Sequence, residues 1–165
     1  MELRKIIGVL ESSIQNPTQG LPEELFLLMS RITPLINVDL LIKNDHNQTL
    51  LVWRDDGYYP PGWHVPGGII RYKETIAERV VAVARNELGA EVEYGPEPLA
   101  INELIHDTRK NRGHFISFLY QCNLVTQPDE NLKCKSDLPN QNEWMWHSYC
   151  PDNMISVHEI YRKFI

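Results

Sequence analysis

The chain has 165 residues, 42% hydrophobic and 23% charged, which is the make-up of one globular domain long enough to bury a core. A net charge of −6 speaks against nucleic acid as a partner, because holding a phosphate backbone rests on clustered Lys and Arg. No apolar run approaches the roughly 20 residues of a membrane span, and the opening MELRKIIGVLESS lacks the long apolar core of a signal peptide, so no membrane association and a cytoplasmic location are expected.

Apolar residues at 3, 6, 7, 10 and 14 follow a helical period, which Pro17 to Gly20 breaks. A second helix is expected from Pro22 to about Ile32, with Glu23 and Glu24 in its first turn and Leu25, Leu28, Met29 and Ile32 at helical spacing. Residues 1–32 thus form a helical extension ahead of a domain over 33–165. Its apolar faces need a partner, either that domain or a second copy of the chain, and a homodimer is the expectation.

From Pro34 the period shortens. Leu35 to Ile42 reads as a strand, Asp45 to Gln48 as a turn carrying the exposed His46, and Thr49 to Trp53 as the returning strand of a hairpin. Asp39 interrupts the first strand. Arg54 to Pro61 is loop by its Gly and prolines, and Tyr58 and Tyr59 within it offer aromatic faces for a nucleobase.

The stretch Gly62 to Gly89, GWHVPGGIIRYKETIAERVVAVARNELG, reads as a strand, a glycine turn and an amphipathic helix beginning at Glu74 and closed by Gly89. At about 100° per residue Ile76, Val80 and Val83 share a face, and Glu87 falls among them. An ionised, unpaired carboxylate on an apolar stripe costs several kcal/mol or more, so something must neutralise it. A hard cation such as Mg2+ would do so, with a backbone carbonyl of the adjacent Gly67–Gly68 as a further ligand. A salt bridge, or a helix-end Glu turned to solvent, would serve as well.

Glu91 to Tyr94, Ala100 to Ile105 and His114 to Leu124 read as further strands, Thr126 to Asn142 as a long polar loop, Glu143 to His147 as a short aromatic strand and Met154 to Phe164 as a final helix. This mixture predicts an α/β/α sandwich with a mixed sheet between helices. His106, Arg109, Lys110, Arg112 and His114 make one dense cationic loop in an acidic chain, complementary to a diphosphate or simply an exposed charged run. Cys122, Cys134 and Cys150 are odd in number and lack CxxC spacing, which argues for reduced thiols over a disulfide framework or a zinc site.

The central stretch resembles a Nudix box, GX5EX7REUXEEXGU, with Gly68, Glu74, Glu87 and Gly89 on four of its fixed positions. Ala82 and Val83 replace its Arg-Glu, Asn86 precedes Glu87 where the box has a Glu pair, and Ala84 holds the aliphatic position. Such a reduced box is similar to that of the GDP-mannose mannosyl hydrolase branch, which uses a single Mg2+ and cuts at the sugar carbon.

That resemblance implies roles. Arg54 would contact the phosphates as a catalytic and binding residue. Asp39 would lie against the nucleobase or its surroundings, unless it is an Asp on the wet face of a strand. Gly67, Glu87 and Gln141 would hold Mg2+, or Mn2+ in its place. Gln141 stands where the branch carries its general-base His, and an amide cannot take a proton near neutral pH. Among the histidines His106 is the chosen base, because a loop residue can approach the sugar whereas His64, before Pro66, points into the fold.

Three functions follow: a Mg2+-dependent hydrolase of a nucleoside diphosphate-sugar, with Arg54, Tyr58, Arg109 and Arg112 on the substrate; a conventional Nudix pyrophosphohydrolase acting on ADP-ribose or a similar compound; or a nucleotide-binding module without turnover.

Overall fold

The computed structural model describes residues 2–165. Its larger sheet joins β1 (Leu35–Ile42), β4 (Gly67–Ile69), β5 (Val92–Tyr94), β6 (Ala100–Ile105) and β7 (His114–Leu124) in the order β4-β1-β7-β5, with β6 along the first half of β7. β1 and β7 run parallel and all other pairings are antiparallel. A smaller antiparallel sheet has the order β3-β2-β8, from β2 (Thr49–Arg54), β3 (Gly62–His64) and β8 (Trp144–His147). Three α-helices, α1 (Leu3–Ser12), α2 (Glu23–Ile32) and α3 (Ile76–Leu88), and a 3-10 segment Ser156–Phe164 flank the sheets, giving the expected mixed α/β architecture. Among the described residues no helix is long and apolar enough to cross a membrane.

From Val38 onward β1 is buried on both faces, which is why LINVDLLI shows no clean alternation. Val38, Leu40 and Ile42 pack with Val80, Val83, Ala84 and Leu88 of α3. Leu41 points the other way, into a core with Trp63, Val65, Leu119, Met154 and Tyr161. Asp39 shares that second side.

Four expectations are corrected. The strands around Asp45–Gln48 form no hairpin ladder: β1 and β2 lie in different sheets, share core packing, and pair only at a bridge between Lys43 and Thr49. Gly67 and Gly68 form no turn but sit in β4, and neither has a positive φ. Closeness explains them, since a Cβ on Gly67 would lie 2.1 Å from Asp39 Oδ1 and one on Gly68 2.9 Å from Val83 Cγ2. The helix starts one residue after Thr75, whose side chain and Glu78 form a reciprocal capping box, so Glu74 stands outside it. The final helix is 3-10, and three residues per turn stack His158, Tyr161 and Phe164 on one side.

The helical extension makes polar contacts with the cationic loop. In α2, Ser30 Oγ accepts the Arg112 backbone N–H at 3.1 Å, and Arg31 Nη1 donates to Asn111 Oδ1 at 2.8 Å. Tyr58 OH donates to Glu23 Oε1 at 3.0 Å. α1 buries no residue, and its Leu3, Ile7 and Val9 are exposed.

Candidate active site

The chain passes from the small sheet to the large one at His64-Val65-Pro66-Gly67, and the site is built around that crossing. Leu40 N–H bonds to Pro66 O and Ile70 N–H to Ile36 O, so the antiparallel alternation makes Asp39 and Gly67 a non-hydrogen-bonded pair and turns the backbone groups of Gly67 away from β1. The Gly67 N–H donates to Glu87 Oε1 at 3.0 Å. Glu87 sits in the last turn of α3, which Gly89 closes at φ 61° in the left-handed region. Burial pushes the Glu87 carboxyl up to about 8; the Asp39 charge adds to this, while the Gly67 N–H and Arg54 oppose it. Its other face remains open, with 21% of the side chain exposed and Oε2 3.7 Å from His64 Nε2.

Asp39 is 2% exposed, which removes the wet-face alternative. Asn37 Nδ2 donates to its Oδ1 at 3.1 Å, and the hydroxyls of Ser117 and Tyr161 both reach Oδ2. Burial still outweighs these bonds and raises its carboxyl to about 6.

Two buried histidines share the cleft, their tautomers set by the same residue. His64 Nδ1 lies 2.8 Å from the Val65 carbonyl, which can only accept, so Nδ1 carries the proton and Nε2 the lone pair. Val65 N–H donates to His158 Nδ1 at 3.0 Å, which gives His158 the opposite tautomer. Burial holds both imidazoles down to about 3, so they are neutral at physiological pH.

Cations close the cleft. Arg54 donates to Asp56 Oδ2 at 2.6 Å and lies 5.2 Å from the Tyr59 ring, and Arg109 stacks on that ring at 4.1 Å. Arg112 rests 4.4 Å over the Tyr58 ring, and its Nε is buried without a hydrogen-bond partner. Burial, then the like charge of Arg54, lowers the pKa of Arg112. Three guanidinium groups with one aspartate among them are suited to an anion such as a diphosphate.

The structure thus brings Asp39, Arg54, Gly67, Gly68 and Arg112 together around one small cleft of about 80 Å³, with Tyr59, His64 and His158 on its walls, while Glu87 is off the lining and bonded to Gly67. It does not place Tyr58, Arg109, His106 or Gln141 on the lining. The His106 loop closes on itself, its N–H donating to Gly113 O at 2.7 Å and its carbonyl accepting from Arg109 N–H at 3.0 Å. Gln141 is exposed, and its Oε1 takes the Asp55 N–H. Glu74 lies away from the cleft, gripped by Arg79 at 2.8 Å through both Nε and Nη2.

Sequence reasoning passed over His158, Tyr161, Ser117 and Arg79. His158 and Tyr161, three residues apart in an apolar terminal segment, were the available signal for a buried polar pair. Nothing in the spacing pointed to Ser117.

The site fits one divalent cation: Glu87 is a half-buried carboxylate with one oxygen free of hydrogen bonds, beside a neutral imidazole and an outward-facing glycine backbone. Among the described residues no three His, Cys, Asp or Glu side chains cluster to form a larger metal centre.

Comparison with known proteins identifies the family to which this fold belongs. The chain belongs to the NUDIX family, whose NUDIX domain matches residues 33–150. The low-salt glycan biosynthesis protein Agl8 of Haloferax volcanii is 30% identical over 121 residues, covering 71% of this chain and 74% of that protein. In fold the chain is similar to a MutT NUDIX hydrolase from Burkholderia pseudomallei, with a TM-score of 0.62, 16% identity and coverage of 81% of this chain and 98% of the other. It is also similar to the MutT protein from Methanosarcina mazei Go1, with a TM-score of 0.59, 19% identity and coverage of 81% and 91%.

Proposed function

We propose that the chain is a Mg2+-dependent hydrolase of a nucleoside diphosphate-sugar of the GDP-mannose kind, releasing nucleoside diphosphate and free sugar, with Mn2+ able to replace Mg2+. The observation that carries this is the count of carboxylates. Val83, which stands where the box has a second Glu, is 3% exposed and packed in the core of α3, leaving Glu87 as the carboxylate at the metal position. Clamping a phosphorus centre between two ions needs more carboxylates than this site offers. The glycan-related name of the Haloferax volcanii relative supports a sugar-linked substrate.

In this reading Glu87 and the backbone of Gly67 hold the cation, which supplies positive charge to the diphosphate leaving group. Arg54 and Arg112 hold the phosphate oxygens, with Arg109 behind them on the Tyr59 ring and Tyr58 beneath Arg112. Asp39, whose Oδ2 is filled by Ser117 and Tyr161, keeps a free lone-pair site on Oδ1 for a substrate donor at the nucleoside end. The crowd of fixed cations stabilises the charge that develops on the departing diphosphate when water attacks the anomeric carbon.

The proposal includes a homodimer, supported by the exposed Leu3, Ile7 and Val9 of α1, and a cytoplasmic setting, in keeping with three free cysteines. A product-mass screen over nucleotide sugars with Mg2+ tests the activity. Nucleoside diphosphate with free sugar is the expected outcome; nucleoside monophosphate with sugar phosphate would assign pyrophosphohydrolysis, and no product at all a binding module.

A further inference from the structure

We propose that His64 is a second side-chain ligand to the cation held by Glu87, making a mixed nitrogen and oxygen site that favours Mn2+ and similar transition ions over Mg2+. The inference rests on the reading of Glu87 as a metal ligand.

Glu87 Oε2 and His64 Nε2 lie close together with no hydrogen bond between them. Glu87 Oε1 is fixed by the Gly67 N–H at 3.0 Å, which orients the carboxylate, and its Oε2 then lies 3.7 Å from His64 Nε2. His64 cannot turn its N–H toward that oxygen without giving up the 2.8 Å bond from Nδ1 to the Val65 carbonyl. The span also exceeds hydrogen-bond length. A cation that displaces the Glu87 proton would be held between the carboxylate oxygen and the Nε2 lone pair, satisfying both. Metal bonds to nitrogen and oxygen of about 2.0–2.2 Å each reach across such a gap.

The surroundings of His64 are those of a ligand. A metal-binding histidine usually donates its second ring N–H to a carbonyl or carboxylate, which fixes the tautomer and orients the ring; the Val65 carbonyl does this for His64. His158 is excluded, because its Nδ1 lone pair is spent on the Val65 N–H and its Nε2 therefore carries a proton. The cleft cations are no substitute for a metal, since Arg54 is engaged by Asp56. Imidazole nitrogen suits first-row transition ions such as Fe2+, Ni2+ and Zn2+, and Mn2+ stands at the weak end of that series, whereas Mg2+ prefers oxygen alone, so His64 shifts selectivity away from Mg2+.

The test uses the full chain with Mn2+ and Mg2+ alone. Pulsed EPR of the Mn2+ complex is expected to show coupling to a directly bound nitrogen, and calorimetry to give Mn2+ at least about tenfold tighter binding than Mg2+. His64→Gln should remove the coupling and most of that preference, and Glu87→Gln should abolish Mn2+ binding. Binding that depends on Glu87 but shows no nitrogen coupling, with an unchanged preference in His64→Gln, would overturn the role of His64 and leave Glu87 a ligand. Absent binding, or binding that survives Glu87→Gln, would overturn both. The wild-type spectrum decides the nitrogen question even if His64→Gln fails to fold.

Discussion

Arg79 holds Glu74 by two hydrogen bonds of 2.8 Å, one to each carboxylate oxygen, and the residue is 6% exposed and packed beneath Gly68. The box places its Arg at the position of Ala82; here a cation one turn earlier, on the same helix face, makes an Arg–Glu pair with the box glutamate. This pair fixes the turn from β4 into α3 and so the line along which Glu87 approaches Gly67. Removing one partner of a buried pair costs about 3–5 kcal/mol, so Arg79→Ala should lower the denaturation midpoint strongly. Adding Ala82→Arg to that variant should recover part of the loss, as read by chemical denaturation.

Glu87→Gln should remove Mg2+-dependent turnover while leaving the protein folded. The two forms should also differ in pH response. With its folded carboxyl near 8 and an ordinary value of 4.5, Glu87 binds its proton more tightly in the native state. Its contribution in the metal-free protein is therefore fully present below about 4.5 and is lost as the pH rises through about 8. The melting temperature of the wild type in chelator should fall relative to Glu87→Gln across that window, and added cation should reverse the trend. Metal affinity should rise with pH and level off above about 8, because the ion must displace that proton. A pH-independent difference between the two forms would contradict the assignment.

Gly67→Ala should be damaging for steric reasons. Its methyl group would lie 2.1 Å from Asp39 Oδ1 and 3.0 Å from the Val38 carbonyl, so either the β4–β1 pairing or the Asp39 network must shift. A stability loss of about 1–3 kcal/mol is expected, with weakened metal binding through the displaced N–H of Gly67. Calorimetric titration with Mn2+ and thermal melts would measure the two effects separately.

His106 was chosen from sequence as the proton acceptor, yet its ring does not line the cleft and its Nε2 is buried without a partner. His106→Ala is expected to keep turnover within about threefold of wild type. A general base would cost at least about tenfold and take the acidic limb of the pH profile with it, which a kcat profile between pH 5 and 9 would reveal.

Much of the framework was legible because periodicity and glycine signals are local. The bounds of β1, the apolar face of α3 and Gly89 as its cap follow from such patterns. The hairpin and the glycine turn were misread for a shared reason: which sheet a strand joins, and whether glycine serves a turn or a close approach, are settled by partners far along the chain. Asp39 illustrates this, since its burial depends on Ser117 and Tyr161, 78 and 122 residues away. His64 was expected to point into the fold. It is buried, yet the crossing at Val65 presents its Nε2 to Glu87. Arg79 was overlooked because the motif asks for its cation three positions later.

Attack of water at the sugar carbon, leaving an intact nucleoside diphosphate, is distinguished from attack at phosphorus by hydrolysis of GDP-mannose with Mg2+ in 18O-labelled water and mass analysis of both products. Unlabelled GDP released together with free mannose is expected. Label in a phosphate of GMP or of mannose phosphate would contradict it.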